Sequence, residues 1–136
     1  MATFEWPVRV YYEDTDAGGV VYHSQYLNFL ERARTEWLRA VGFEQDALRQ
    51  DPGLIFVVNR MAIDYLAPAR FNDALRVSVQ LQETRGARLL INQQVMHLND
   101  NKTLVRAEVQ VVCVDATRFR PMAVPSFILE KLLDAD

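Results

Sequence analysis

The chain has few of the residues that mark secreted, membrane or metal-binding proteins. Its 136 residues include one cysteine, Cys113, so no disulfide can form within the chain. The two histidines, His23 and His97, are far apart in the sequence, whereas zinc sites need three or four ligands, so we expect no metal. No apolar run approaches the roughly 20 residues that span a bilayer, and the N-terminal segment lacks a signal-peptide pattern. We therefore expect a protein of the cytosol.

The charge of the chain gives no indication of a nucleic-acid partner. The formal net charge is -3 at pH 7, and the charged residues of both signs are mixed along the chain. Nucleic-acid binding depends on clustered Lys and Arg, so we expect no nucleic-acid partner. Half of the residues are apolar and 24% are charged, as in ordinary globular proteins. Residues 1–136 are therefore predicted to form a single domain.

The first part of the chain reads as a strand, a polar loop and a long helix. Apolar and polar residues alternate from Trp6 to Tyr12, which predicts a strand that the polar stretch from Asp14 to Gly19 ends. Ser24 is a candidate N-cap for a helix that ends near Gly42. Its apolar residues recur at three- and four-residue spacing and form one stripe. These are Tyr26, Leu30, Ala33, Trp37 and Val41, widened by Leu27 and Leu38.

The rest of the chain alternates with period two. Four strands are predicted at 57–65, 75–82, 89–98 and 104–115, and a short helix at about 126–133. The short connections predict antiparallel pairing of successive strands. One helix against one antiparallel sheet predicts a two-layer α+β domain in which the sheet curls around a central helix. The edges of such a sheet need covering, and pairing in a dimer is one solution.

The polar loop admits three interpretations as a functional site. A calcium loop that starts at Asp14 would need ligands at its fifth and twelfth positions, which are Gly18 and Gln25 here. An Asp-x-Asp phosphatase would need a doubly wound parallel sheet, which the element order excludes. The third interpretation is acyl-transfer chemistry, in which a carboxylate lies next to the unpaired N–H groups of a helix start.

The acyl-transfer interpretation rests on the spacing of a few residues. Asp16 lies seven residues before His23, which precedes the candidate N-cap, and Gly18 and Gly19 allow a ligand to approach the backbone. The carboxylate could attack a carbonyl or activate a water molecule. The alternative is structural: Asp14 and Asp16 cap turns, and His23 is a hydrogen-bonded histidine beside a helix end.

Three segments resemble a known family. They are "WPVRVYYEDTDAGGVVYHSQYLNFLERARTEWL", "FVVNRMAIDYLAPARFND" and "AEVQVVCVD". Together they resemble the 4-hydroxybenzoyl-CoA thioesterase family of the hotdog superfamily, and within it the Tol-Pal-associated acyl-CoA thioesterases. The resemblance implies a hotdog fold, an antiparallel sheet wrapped around one long helix. It also implies a homo-oligomer, either a dimer or a dimer of dimers (a homotetramer), with active sites at the dimer interface.

The resemblance also implies an activity and residues for it. The reaction would be hydrolysis of an acyl-CoA thioester to a free acid and CoA without a cofactor, and acyl carrier protein is a second candidate carrier. Asp16 would be the catalytic carboxylate, the His23 backbone N–H would polarise the carbonyl, and the His23 ring and Tyr12 would assist. Two alternatives stay open: a non-catalytic acyl-CoA or acyl-carrier-protein binding module, and an enoyl thioester hydratase.

The phosphates of CoA call for arginine or lysine side chains. Four arginines that lie in or beside predicted turns are candidates for this contact: Arg85, Arg88, Arg118 and Arg120.

Overall fold

The computed structural model describes residues 3–134, which form one antiparallel sheet and one long helix with two short ones. The strands are β1 (Phe4–Arg9), β2 (Leu54–Tyr65), β3 (Ala74–Arg85), β4 (Arg88–His97) and β5 (Thr103–Asp115). The helices are α1 (Gln25–Ala40), α2 (Gln45–Gln50) and α3 (Ser126–Leu133), and a 3₁₀ turn spans Tyr12–Asp14. This architecture confirms the predicted α+β class.

The long helix α1 follows its predicted apolar stripe. Tyr26, Leu30, Ala33 and Trp37 are buried, whereas Leu27 is 39% exposed. The sequence pattern missed Phe29, which is fully buried and widens the stripe on the other side. Ser24 lies at the N-cap but its side chain makes no capping hydrogen bond. The helix ends as predicted, since Gly42 has the positive φ of 103° typical of the residue after a helix.

The sheet buries alternate residues of its central strands. Leu75, Val77, Val79 and Leu81 of β3 are at most 3% exposed, as the period-two pattern predicts. Strands β3, β4 and β5 pair successively as antiparallel hairpins. Helix α1 packs on the β1–β3 side of the sheet. The fully buried Gln93 of β4 joins the two layers, because its amide nitrogen donates to the Leu30 carbonyl oxygen at 3.1 Å.

One pairing differs from the prediction. The sheet order is β1-β3-β4-β5-β2, so β2 pairs with β5 and not with the next strand, β3. The segment 66–73 must therefore cross three strand spacings, about 14 Å, from one edge of the sheet toward the other. Eight residues are ample for that distance. We call this segment the crossing connection. The prediction that β2 and β3 pair was wrong because a short connection can also cross the end of a sheet, so its length alone does not show that the two strands pair.

Other boundaries also differ from the prediction: β2 begins at Leu54 and not at residue 57, and β3 continues to Arg85 and not only to residue 82. Strand β1 ends at Arg9, so Tyr12 begins the 3₁₀ turn and does not continue the strand. Helix α2 lies in the stretch that the sequence pattern left as a loop, where Leu48 is buried. None of the helices in residues 3–134 has the length and apolar character needed to cross a membrane.

Candidate active site

The start of α1 is enclosed by two segments that are distant in sequence. The polar loop, residues 14–24, closes on itself through a bridge between Thr15 and Val21. The crossing connection runs beside it: the Val21 N–H donates to the Ala69 carbonyl oxygen at 2.9 Å, and Val20 bridges to Arg70. The topology of the sheet therefore holds the polar loop against the helix start.

Asp14 has a structural role in this loop. Its side chain is 4% exposed and accepts two hydrogen bonds of 2.8 Å, from the Tyr11 N–H and from the Gln25 side-chain amide. Its backbone carbonyl accepts the Tyr22 N–H at 2.9 Å. Asp14 thus ties the 3₁₀ turn to the first residue of α1. The turn-capping interpretation holds for this aspartate.

Asp16 has a different environment only two residues away. It is exposed, and its Oδ1 accepts the Gly18 N–H at 2.8 Å, so Asp16 caps a turn as well. Its Oδ2 accepts no hydrogen bond from the part of the chain that the structure describes. The loop tip turns at Gly19, whose φ of +79° is a conformation that L side chains rarely adopt. The loop therefore presents one carboxylate oxygen that is free to meet a ligand.

The helix start offers backbone donors a short distance along the chain from Asp16. Asp16 is hydrogen-bonded through its N–H to the Val20 carbonyl, and three residues of chain, at most about 10 Å, lead from Val20 to His23. Within residues 3–134, the N–H groups of His23 and Ser24 have no acceptor. Successive unpaired N–H groups at the positive end of a helix dipole form a site for an anion or a polarised carbonyl.

Aromatic rings surround His23 at the start of α1. The His23 side chain is exposed, and its ring centroid lies 4.5 Å from that of Tyr22 and 6.2 Å from that of Tyr65. The Tyr65 hydroxyl donates to the His23 carbonyl oxygen at 2.9 Å. Tyr26 lies beneath them, where its hydroxyl oxygen accepts the Ala69 N–H at 3.0 Å. Burial raises the pKa of Tyr26, which keeps this hydroxyl neutral.

Tyr12 lies at the other side of the polar loop. Its side chain is 81% exposed and meets Phe71 of the crossing connection edge-on, with 6.1 Å between the ring centroids. The structure thus brings Tyr12, Asp16 and His23 to the same end of the sheet, where β1 ends and β3 begins. We call this the loop end.

The four candidate arginines lie at the opposite end, which we call the arginine end. Arg85 and Arg88 flank the β3–β4 hairpin, and Arg118 and Arg120 lie in the loop after β5. The eleven steps of β3 between Ala74 and Arg85 correspond to about 36 Å. All four arginines are exposed. A single copy of the chain therefore does not bring them to Asp16.

Two apolar spaces lie near α1. A cleft of about 280 Å³ opens at the helix start, between His23, Tyr26 and Tyr65 on one side and residues 66–68 on the other. A larger cavity of about 570 Å³ begins at Leu27 and lies between α1 and strands β2, β4 and β5. Its polar side chains come from Glu31, Arg34, Thr35 and Gln45. Burial lowers the pKa of Arg34, whose guanidinium donates to the Gln93 side-chain oxygen at 2.9 Å.

The pattern of the sequence did not reveal the second segment of the site. Tyr65 and Ala69 come from β2 and the crossing connection, about 40 residues after the polar loop. Only the order of the strands brings them to the helix start, and no local spacing reports that order. The described residues contain no group of three or more His, Cys, Asp or Glu side chains arranged to hold a metal ion.

Comparisons with known proteins agree with this architecture. A model of the thioesterase-like superfamily matches residues 10–132. The acyl-CoA thioesterase YbgC of Haemophilus influenzae is 49% identical over 122 residues, which cover 90% of this chain and 88% of that protein. The crystal structure of a "probable thioesterase" from Bartonella henselae is 35% identical, with a TM-score of 0.86, and covers 91% of this chain and 100% of that one.

A more distant structure shares the fold. A 4-hydroxybenzoyl-CoA thioesterase mutant, solved in complex with 4-hydroxybenzoyl-CoA, has a TM-score of 0.89 at 18% identity. The match covers 96% of this chain and 98% of that one. At this identity the likeness concerns the fold alone, an antiparallel sheet wrapped around a long helix, and it confirms the predicted hotdog architecture.

Proposed function

The chain belongs to the thioesterase-like superfamily and is an acyl-CoA thioesterase, and we propose that Asp16 and the amide groups at the start of α1 carry its reaction. The observation that supports this site most directly is the contrast between two neighbouring aspartates. Asp14 is buried and both of its carboxylate oxygens accept hydrogen bonds, whereas Asp16 is exposed and its Oδ2 accepts none from the described residues.

The geometry supports a simple division of roles. The thioester carbonyl oxygen accepts hydrogen bonds from the unpaired N–H groups of the helix start, which stabilise the negative charge that develops there. Asp16 either attacks the carbonyl carbon or takes a proton from an attacking water molecule. A C–O bond forms, the C–S bond breaks, and the sulfur leaves as the CoA thiolate, which then takes up a proton. Where Asp16 is the nucleophile, a water molecule then hydrolyses the acyl-aspartate, which releases the free acid and restores the carboxylate.

The remaining proton transfers need a group near the leaving sulfur. The His23 ring is exposed at the helix start, and Tyr12 lies on the same loop as Asp16. We assign these two side chains to substrate positioning or to protonation of the thiolate. Rapid chemical quenching during turnover, followed by mass spectrometry of the Asp16 peptide, distinguishes the two roles of Asp16: covalent catalysis adds the mass of the acyl group to this peptide, and general-base catalysis does not.

We propose that the active unit contains at least two copies of the chain. Strand β2 is an edge strand that pairs only with β5 within residues 3–134, and Val58 on it is 44% exposed. Two such edges related by a two-fold axis would pair antiparallel. The end of one β2 at Tyr65 would then meet the start of the other β2 at Leu54, near the arginine end of the second copy.

This arrangement supports a role for the distant arginines. Leu54 is paired with Asp115, and the Ala116 N–H donates to the Gly53 carbonyl oxygen at 2.9 Å, so the loop of Arg118 and Arg120 lies beside the start of β2. The Arg85–Arg88 hairpin is attached to the same end, because the Cys113 N–H donates to the Ala87 carbonyl oxygen. We propose that these arginines bind the phosphates of the CoA whose thioester is held by the other copy.

The acyl group also has a space available. The larger cavity begins at Leu27, two residues after the first residue of α1, and apolar side chains such as Trp37, Phe56 and Ile91 dominate its walls. We propose that the acyl chain enters this cavity from the helix start. Cavities of this size hold small ligands. If the acyl chain occupies this cavity, the cavity volume limits the length of the acyl chain that the enzyme prefers, and measuring that length tests the assignment.

The first experiment is thiol release from acetyl-, butyryl-, hexanoyl-, palmitoyl- and benzoyl-CoA by wild type and by Asp16→Asn. We expect turnover of at least one thioester by wild type and a loss of about 10³-fold or more in kcat for the variant, the scale seen when a reacting group is removed. Glu13→Gln is the matched control, since it makes the same carboxylate-to-amide change at an exposed residue of the neighbouring 3₁₀ turn.

Other outcomes of this experiment identify the alternatives. Wild-type turnover by Asp16→Asn would refute the assignment of Asp16. Tight binding without turnover of any CoA thioester would support a binding module, and acyl carrier protein thioesters would then be the next substrates.

We also propose a cytoplasmic location and a dimer of dimers, which the resemblance favours. Its Tol-Pal-associated subgroup suggests an envelope protein partner, which affinity capture with defined Tol and Pal proteins tests.

A further inference from the structure

Tyr65 has a fixed position at the helix start although it lies 42 residues from His23. It is the last residue of β2, paired with Val105, and the next N–H, of Leu66, donates to the Leu104 carbonyl oxygen at 2.8 Å. Its ring packs beside Tyr26, with 5.7 Å between the centroids. Strand pairing and ring packing together deliver the Tyr65 hydroxyl to one place.

The hydrogen bond that this hydroxyl makes replaces one that the helix does not supply. A carbonyl at the start of a regular helix accepts the N–H four residues later, which for His23 would be the Leu27 N–H. Here the Leu27 N–H donates to the Ser24 carbonyl oxygen at 3.1 Å instead. The His23 carbonyl oxygen has the Tyr65 hydroxyl, at 2.9 Å, as its donor within residues 3–134.

Fixing this carbonyl also fixes an N–H group. The His23 carbonyl and the Ser24 N–H belong to one planar peptide unit and point in opposite directions. A hydrogen bond from Tyr65 to the carbonyl therefore sets the direction of the Ser24 N–H. The preceding peptide is held in a similar way, because the Gln25 N–H donates to the Tyr22 carbonyl oxygen at 2.8 Å and so orients the His23 N–H.

We infer that Tyr65 is a positioning residue for thioester hydrolysis: its hydroxyl holds the His23–Ser24 peptide so that the Ser24 N–H becomes a second donor beside the His23 N–H. This inference rests on the proposed site at the start of α1. Two donors that are already oriented need no reorganisation when charge develops on the carbonyl oxygen. Without the Tyr65 hydroxyl, the peptide could rotate toward water and one donor would be lost for part of the time.

A purely structural role for the Tyr65 hydroxyl would predict that its removal lowers the stability of the fold and leaves kcat unchanged. Tyr65 is 44% exposed, so water can replace the lost partner of the His23 carbonyl and the hydroxyl contributes little to the stability of the fold. In Tyr65→Phe the ring contacts with Tyr26 and His23 remain. We therefore expect kcat to fall about tenfold, less than the 10²–10³-fold loss on complete removal of an oxyanion donor, with KM within about twofold of wild type.

The matched control is Tyr22→Phe. Tyr22 is 48% exposed, and its ring lies 4.5 Å from the His23 ring, but its hydroxyl makes no hydrogen bond to residues 3–134. Removal of that hydroxyl should leave kcat within about twofold of wild type. The comparison uses the acyl-CoA with the highest turnover in the panel above, and the melting temperature of each variant is measured in parallel.

A spectroscopic measurement reports on the donors themselves. In an Asp16→Asn background, bound acyl-CoA is not consumed, and the infrared stretch of its thioester carbonyl reports how strongly the N–H groups polarise it. Addition of Tyr65→Phe should move this band part of the way back toward its frequency in solution, and addition of Tyr22→Phe should leave it unchanged. A change of fold stability alone would not produce that pattern.

The outcomes separate this inference from the proposed function. If Asp16→Asn is inactive, Tyr65→Phe has the kcat of wild type and adding Tyr65→Phe to Asp16→Asn leaves the carbonyl band unchanged, the positioning role is wrong and the assignment of Asp16 stands. If Asp16→Asn retains full activity, the proposed site is wrong and the inference fails with it. Equal losses of kcat in Tyr65→Phe and Tyr22→Phe would also overturn the inference.

Discussion

The two ends of the sheet differ in what they offer a substrate. The loop end has an exposed carboxylate at Asp16, two N–H groups without an acceptor in residues 3–134 and an apolar cleft, and two segments distant in sequence hold them together. The arginine end has four exposed arginines, on the hairpin after β3 and the loop after β5. The candidate reacting groups and these four candidate arginines are thus separated by about the length of a strand, roughly 36 Å.

This separation is informative because acyl-CoA carries both features in one molecule. Its thioester needs a polarising site, and its phosphates need cations. A single copy does not bring the four arginines of the far end to Asp16, whereas the proposed antiparallel pairing of two β2 edges would. The distance between the two ends is therefore an argument for a site shared between two copies.

The largest expected effect tests this sharing directly. One copy carries Asp16→Asn and the other carries alanine at all four arginines, and the hybrid is isolated with two different affinity tags. The arginine variant alone should lose about 100-fold in kcat/KM, since each charge-assisted phosphate contact contributes about 1.5–3 kcal/mol and not all four need contribute fully. The hybrid should recover about half of the wild-type activity, because one of its two sites is intact.

The hybrid experiment has an informative negative result. If each chain used its own arginines, neither site of the hybrid would be complete and no activity would return. The control is a hybrid in which a single copy carries both sets of substitutions and the other is wild type. For a shared site, this control has no complete site, whereas for an unshared site it keeps one.

The second prediction contrasts the two aspartates of the loop end. Asp14→Ala leaves the Tyr11 N–H and the Gln25 amide without their acceptor in a buried place. We expect a loss of about 2–3 kcal/mol in unfolding free energy, which corresponds to a decrease of about 6–10 °C in Tm for a chain of this size. Asp16→Ala should change Tm by less than about 2 °C, because Asp16 is exposed. Thermal unfolding of both variants is the measurement, and equal changes in Tm would contradict the distinction.

The third prediction separates activity from stability at two adjacent glycines. A Cβ at Gly18 would lie 3.2 Å from Asp16 Oδ1, so Gly18→Ala should displace the carboxylate and lower kcat about threefold to tenfold with little change in Tm. At Gly19 the φ of +79° opposes any side chain while the space is open, so Gly19→Ala should lower stability by about 1 kcal/mol. Kinetics and thermal unfolding of the pair check both statements, and a smaller kinetic effect at Gly18 than at Gly19 would contradict the first.

The smallest effect concerns the arginine end and pH. Hydrogen bonds from the N–H groups of Arg118 and Thr117, at 2.8 and 2.9 Å, lower the pKa of Asp115. A lowered pKa in the folded state means that the ionised carboxylate adds stability above its ordinary pKa, about 3.9, and loses it as the pH falls through the folded-state value.

The measurement is Tm as a function of pH for wild type and Asp115→Asn. Wild type should be slightly more stable above about pH 4, and the two curves should converge at lower pH. A difference that grows on acidification would contradict the assigned direction. The same carboxylate shapes the loop of Arg118 and Arg120, so a small rise in KM for acyl-CoA is expected as well.

Local patterns predicted much of the fold. The burial of alternate apolar residues in β3 and in β5 as far as Val111, the stripe of α1 and its end at Gly42 all follow from spacing in the sequence, because each depends on neighbours a few residues away. The start of the polar loop was less predictable. Tyr12 continues the alternation of β1 but belongs to a 3₁₀ turn, which the hydrogen bonds of Asp14 hold in place.

Some features of the candidate site could also be predicted from the sequence, and others could not. The sequence by itself determined the α+β class, and it placed Asp16, the glycines and His23 in front of a helix, since all of these lie within one short segment. Only the tertiary structure decided that Asp14 is buried and Asp16 is not, that Tyr65 reaches the His23 carbonyl, and that the four arginines lie at the far end. The physical reason is strand order: β2 pairs with β5, so the crossing connection passes the helix start, and such long-range pairing leaves no local periodicity in the sequence.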